Sequence, residues 1–146
     1  MKAHNQGCRD SALSLFFLFC CGALIYMGIE IGFRGFTHWT MGIVGGICFL
    51  LIGGLNNYID WGMPVVKQAI IGGIIITALE LIAGLILNVW LGLGIWSYAS
   101  MPFNFMGQIC LPFSCLWCLL SIVAVYVDDT IRWIILKEPF PKHKWF

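Results

Sequence analysis

The feature that most limits how this chain can fold is a series of four apolar stretches, each close to the length a helix needs to cross a bilayer. Ser11 to Phe33 carries a single charged side chain, Glu30, and is closed by Arg34. Met41 to Tyr58 is rich in glycine and has no charge; Ala69 to Leu91 has one, Glu80; Phe105 to Val127 has none and stops at Asp128 and Asp129. With 60% of its 146 residues apolar and only 10% charged, the chain cannot present a solvated surface of its own. A net charge of +1 leaves no basic face for nucleic acid. The expectation is an all-α membrane protein: a single transmembrane domain over residues 1–146, with spans near 11–33, 41–58, 69–91 and 105–127. No room remains for a separate catalytic or ATPase domain.

Basic residues in short loops stay on the cytoplasmic side. Lys2, Arg9, Lys67, Arg132, Lys137, Lys142 and Lys144 fall on one side of this arrangement, and Arg34 alone falls on the other. Both termini are therefore expected in the cytoplasm. Phe36, Trp39, Trp90, Trp96 and Tyr98 belong to the outer interface on this reading, and Tyr58, Trp61, Tyr126 and Trp133 to the inner one. Lys2 and Arg9 before an apolar core have the look of a signal peptide, but the core is too long and no small-x-small site ends it, so cleavage is not expected. Residues 130–137 read as a short interfacial helix with Arg132 and Lys137 reaching headgroups. Glu138 to Phe146, broken by Pro139 and Pro141, reads as exposed coil. The uncharged Gly92 to Asn104 segment must satisfy its backbone at membrane depth, which favours a packed cap over a loose loop.

Glu80 sits about eleven residues, roughly 16 Å of helix, from either end of its span. That is too deep to snorkel. A carboxylate there must be protonated, paired or turned toward a polar interior, which makes it a functional candidate or a structural hydrogen-bonding group. Thr77, Glu80, Gly84 and Asn88 follow spacings of helical neighbours and share a face. Glu30 and Arg34 are placed to form an i, i+4 ion pair. Asn104 and Gln108 fall in the outer half of the fourth span, where Pro112 is expected to kink the helix. Glu80, Glu30, Arg34, Thr77, Asn88, Asn104 and Gln108 form the candidate substrate- or ion-binding set around an outer cavity.

The cysteines include Cys115 and Cys118 but lack a second pair at ligand spacing, so no metal site is expected, and the spans' cysteines read as packing residues. Cys8, beside the membrane, is a candidate for acylation. Phosphate loops, hydrolase motifs and dinucleotide fingerprints are missing, so neither catalysis nor a cofactor is expected. Gly28 to Gly32 and Gly42 to Gly46 are small-xxx-small patterns suited to close helix crossing, within the chain or in a homo-oligomer.

Several motifs carry a resemblance: Leu55 to Pro64, Thr77 to Asn88, Ser100 to Ser114, Val127 to Arg132, and Glu30-Ile31-Gly32-Phe33-Arg34-Gly35. Together they resemble the bacterial family described as putative ABC-transporter type IV, small four-span proteins found mostly in Firmicutes. Its motif positions include Glu30, Arg34, Glu80, Asn88, Trp96, Tyr98, Pro102, Phe103, Asn104, Gly107, Gln108, Pro112, Asp128, Asp129 and Arg132. Where relatives often show Trp-Asp-Tyr, this chain has Trp96-Ser97-Tyr98, without the outer carboxylate. The resemblance implies a permease-like transport component for a small polar or ionic solute, multi-pass in the bacterial inner membrane, served by a separate ATPase. The Asp60 to Gln68 loop is the candidate coupling segment. The competing expectation is a non-transporting assembly partner or a holin-like pore former. Its buried polar residues would only hold helices together.

Overall fold

A computed structural model describes residues 11–55 and 62–146 of the chain. Helix α1 spans Ala12–Arg34, α2 Trp39–Gly54, α3 Val65–Gly84 and α4 Leu111–Ile134. A π-helical turn, Leu85–Trp90, prolongs α3, and two short antiparallel strands, β1 (Asn104–Phe105) and β2 (Ile109–Cys110), precede α4. Asn56, Asn57, Tyr58, Asp60, Trp61 and Cys8, all of which carried expectations, lie outside the described residues.

Local chemistry sets the helix ends. The Ser11 hydroxyl accepts from the Ser14 amide at the start of α1, and Gly35 ends that helix at φ 79°, a left-handed position that glycine adopts without a Cβ penalty. The His38 ring caps α2 through the Thr40 amide. Pro112 lies in the first turn of α4, where its missing N–H costs nothing.

Packing follows the glycines. A Cβ on Gly45 would strike the Tyr26 ring, and one on Gly22 would strike Phe49, so α1 and α2 form a close antiparallel hairpin. The α3–α4 hairpin is the second unit, and α2 joins the two by packing on both α3 and α4. Cys48, Ile52, Ile76, Trp117 and Val125 form the core between the hairpins. Leu13, Leu24, Ile70, Ile74, Ile82, Leu119 and Val123 all face outward. Such a surface suits hydrocarbon and not water. Three of the helices are long and apolar enough to cross a bilayer, and α2 is a shorter apolar helix. The protein is a multi-pass helical membrane protein.

Four expectations are corrected. The fourth span begins at Leu111 and not near 105, because residues 104–110 turn back as a strand pair, so Asn104 and Gln108 belong to a hairpin and not to a helix. Pro112 consequently opens α4 instead of kinking it. There is no separate interfacial helix over 130–137: α4 runs unbroken through Ile134. Its Arg132 is buried, with Nε 2.7 Å from Asp128 Oδ2 and Nη1 3.5 Å from Glu138, instead of reaching headgroups. Nor is the tail free coil. The Lys144 carbonyl accepts from the Val65 amide at 2.7 Å, satisfying a donor at the start of α3 that has no side-chain cap. His143 Nε2 lies 3.0 Å from Asp129 Oδ2, its ring packs on Tyr126, and Pro141 is buried.

Candidate functional site

The helical spacing that aligns Thr77, Glu80, Gly84 and Asn88 holds in space, and the face they share looks toward α4 and the segment that connects α3 to it. Thr77 Oγ1 bonds Ser114 Oγ at 3.0 Å. Glu80, 4% exposed, accepts from Tyr98 Oη at 2.7 Å through Oε1 and from Trp117 Nε1 at 2.9 Å through Oε2. Gly84 leaves the space that the Gln108 side chain fills. Asn88, carried on the π-helical turn, donates to Gln108 Oε1 at 2.9 Å and to the Trp96 carbonyl at 3.1 Å, and accepts from the Ile95 amide at 2.7 Å.

These bonds make the segment after α3 a folded cap. Gly92 and Gly94, both at positive φ, bend the chain back over the helix ends, and Ile95 and Trp96 are buried with Met41. Trp96 donates its indole N–H to the Gln108 carbonyl at 3.0 Å, so it points inward and not into the outer interface. Tyr98 turns inward as well. Burial and the adjacent Glu80 carboxylate push the Tyr98 hydroxyl above its ordinary pKa, which keeps it protonated as a donor. Trp39 and Trp90 are exposed.

Glu30 and Arg34 form the expected ion pair at 2.5 Å, and Thr37 completes it by donating to the other Glu30 oxygen. Arg34 Nη1 also donates to the Ile95 carbonyl at 2.9 Å. The Ile95 peptide is thereby gripped from both sides, by Arg34 at its oxygen and Asn88 at its nitrogen. Five of the seven candidate residues contribute to these contacts around the cap, and Thr77 bonds α4 instead. Asn104 does neither. It is exposed and braces its own loop, donating to the Ala99 and Met101 carbonyls and accepting from the Gly107 amide.

The main omission from the sequence-based set is Trp117. Its signal was available: Ser114, Trp117 and Ser121 repeat at helical spacing and place hydrogen-bonding groups on the α4 face that meets α3. Four aromatic rings run in contact around the carboxylate. Tyr98 stacks on Phe113 at 4.8 Å, Phe113 lies 6.1 Å from Trp117, and Trp117 lies 6.3 Å from Tyr26. Both donors to Glu80 are neutral, and the arginines among the described residues pair with Glu30, Asp128 and Glu138 instead.

A family model described as putative ABC-transporter type IV matches residues 15–140, and the chain belongs to that family. No curated protein and no solved structure matches it.

Proposed function

We propose that this member of the putative ABC-transporter type IV family is a permease-like component that moves a small polar or ionic solute, with Glu80 as the central polar group. The observation that carries this reading is Glu80 itself. A carboxylate buried in the middle of an apolar helix costs several kcal/mol, and among the described residues this one is held by two neutral donors and no cation. A purely structural role would be served more cheaply by a neutral side chain. Its link to the outer cap through Tyr98 fits a site that opens toward the outer side, and the Glu30–Arg34 pair lies at the same cap.

The remaining parts of the reading follow the same logic. The whole chain acts as one transmembrane domain in a bacterial inner membrane, both termini are cytoplasmic, and the chain catalyses no reaction. A separate ATPase or a second copy of the chain serves as partner. The Asp60 to Gln68 loop, whose Val65 amide donates to the Lys144 carbonyl of the tail, is the segment on which such a subunit would act.

Purification of the tagged chain from its own host in mild detergent, followed by mass spectrometry, tests the partner. A stoichiometric ATPase supports the ATP-driven form. Reconstituted vesicles adsorbed to a solid-supported membrane, challenged with a panel of amino acids, inorganic ions and amines, test the site. Glu80→Gln should abolish the solute-induced current while leaving a folded protein. A folded Glu80→Gln protein with unchanged currents would overturn the assignment and favour the holin-like or assembly reading.

A further inference from the structure

A cavity walled by Trp117, a donor to Glu80, has no lining residue from the cap. It lies between α1 and α4, has a volume of about 90 Å³, and is lined by Tyr26, Cys48, Ile76 and Trp117 among other, mainly aliphatic, residues. Ile25, Ile29 and Val123 line its mouth, and all three face outward from the bundle. The mouth therefore opens sideways into lipid. Ile76 lies one helical turn from Glu80 on the same helix, and the Trp117 indole that forms part of the wall is the group whose N–H reaches Glu80 Oε2. A carboxylate with no cationic partner among the described residues thus stands behind the aromatic wall of an apolar cleft.

From this arrangement we infer that the cleft and Glu80 form a binding site for a hydrophobic quaternary ammonium cation, entering from the bilayer between α1 and α4. The inference rests on the reading of Glu80 as the central group and names the substrate class that reading leaves open. The chemistry is specific on three counts. A positive head supplies the charge that the neutral donors Tyr98 and Trp117 do not. Tyr26 and Trp117 line the cleft, and aromatic rings hold quaternary ammonium groups through their negative faces, most strongly in a water-poor setting. The cleft is smaller than the ~150 Å³ hole that admits benzene, so it must widen to admit the head, while the alkyl tail remains in lipid. The head reaches the carboxylate when the Trp117 indole swings aside.

The test is equilibrium binding of radiolabelled decyltrimethylammonium, below its micellar range, to the full chain in lipid nanodiscs, with protein-free discs subtracted. The expected result is saturable binding that 1-decanol does not displace. Glu80→Gln should weaken it by about ten-fold or more. Tyr98→Phe keeps the ring and removes a donor that competes for the carboxylate, so it should tighten binding; a merely structural Glu80 would give no such gain. Absence of saturable binding, displacement by 1-decanol, unchanged affinity in Glu80→Gln, or weaker binding in Tyr98→Phe would each overturn the inference. The readout needs no flux. A chain that binds no cation but still loses solute currents in Glu80→Gln refutes this inference and leaves the transport reading standing. Cation binding through Glu80 without Glu80-dependent currents supports the inference and refutes the transport reading.

Discussion

Tyr98→Phe isolates the latch between the cap and the membrane interior. The substitution deletes one oxygen and keeps the ring, so the 4.8 Å stack on Phe113 survives. What is lost is the 2.7 Å bond to Glu80 Oε1, a hydrogen bond to an acidic group that is 4% exposed. Hydrogen bonds to charged groups contribute about 1.5–3 kcal/mol, and no other described residue bonds that oxygen. The cost falls on cap docking and not on helix packing, because Tyr98 belongs to the cap and Glu80 to α3. At about 1.4 kcal/mol per decade, the open fraction of the cap should rise roughly 10- to 100-fold. Native-state hydrogen exchange reads this directly. The Ile95 amide is protected only when the cap is docked, through Asn88 Oδ1. Mass spectrometry of peptides covering residues 92–110 should show exchange faster by that factor, with α3 and α4 peptides unchanged. Unchanged exchange in the cap, or equal acceleration in every helix, would refute the idea that this bond holds the cap as a unit.

Other substitutions separate the remaining contacts. Arg34→Met removes both the Glu30 ion pair and the bond to the Ile95 carbonyl, and should accelerate exchange at Ile95 while leaving the amides of α4 unaffected. Gly84→Ala places a Cβ against Gln108, where a shift of the side chain would break its bond to Asn88; a loss of about 1–3 kcal/mol, read as a lower melting temperature in detergent, is expected. His143→Ala should free the tail, measured as faster tryptic cleavage after Lys142 and Lys144 with α4 intact. Burial lowers the His143 pKa below its ordinary value. Acid therefore protonates the released tail before the docked one, and cleavage should quicken as pH falls through about 6.5. Slower cleavage in acid would show that the neighbouring Asp129 carboxylate, and not burial, governs the ring.

The parts of this fold that were legible in the sequence are those fixed by local spacing. Four residues separate Glu30 from Arg34 and the helix brings them together. The Thr77–Asn88 face needed only helical periodicity, and it survives the π-helical turn because Asn88 still meets Gln108. Errors arose where composition and conformation part company. Phe105, Met106, Ile109 and Cys110 extend an apolar run that reads as span, yet Gly107 at φ 69° and the Asn104–Gly107 bond fold it into a turn. Pro112 was then misplaced in mid-helix, although proline is at home in a first turn. The docked tail depends on the Val65 amide meeting the Lys144 carbonyl, a pairing of groups remote in sequence that no local pattern announces. Trp117 was missed because an indole in an apolar run looks like packing until its N–H finds an acceptor.

The two donors of Glu80 come from different parts of the fold, and this constrains how the site can work. Tyr98 moves with the cap; Trp117 moves with α4 and lines the lateral cleft. Release of either donor leaves the other in place, so the carboxylate can be uncovered from the cap or from the cleft without losing both bonds at once. Opening on both sides together would strand a buried carboxylate with no partner, at a cost well above that of either single opening. That penalty by itself makes the two openings tend to exclude each other, which is the elementary requirement for passing a ligand from one compartment to another without a continuous leak. The double variant Tyr98→Phe, Trp117→Phe removes both donors and with them the penalty. Vesicles carrying it should leak small cations, whereas each single variant should remain tight; tight vesicles with the double variant would show that helix packing, and not the shared carboxylate, keeps the two routes apart.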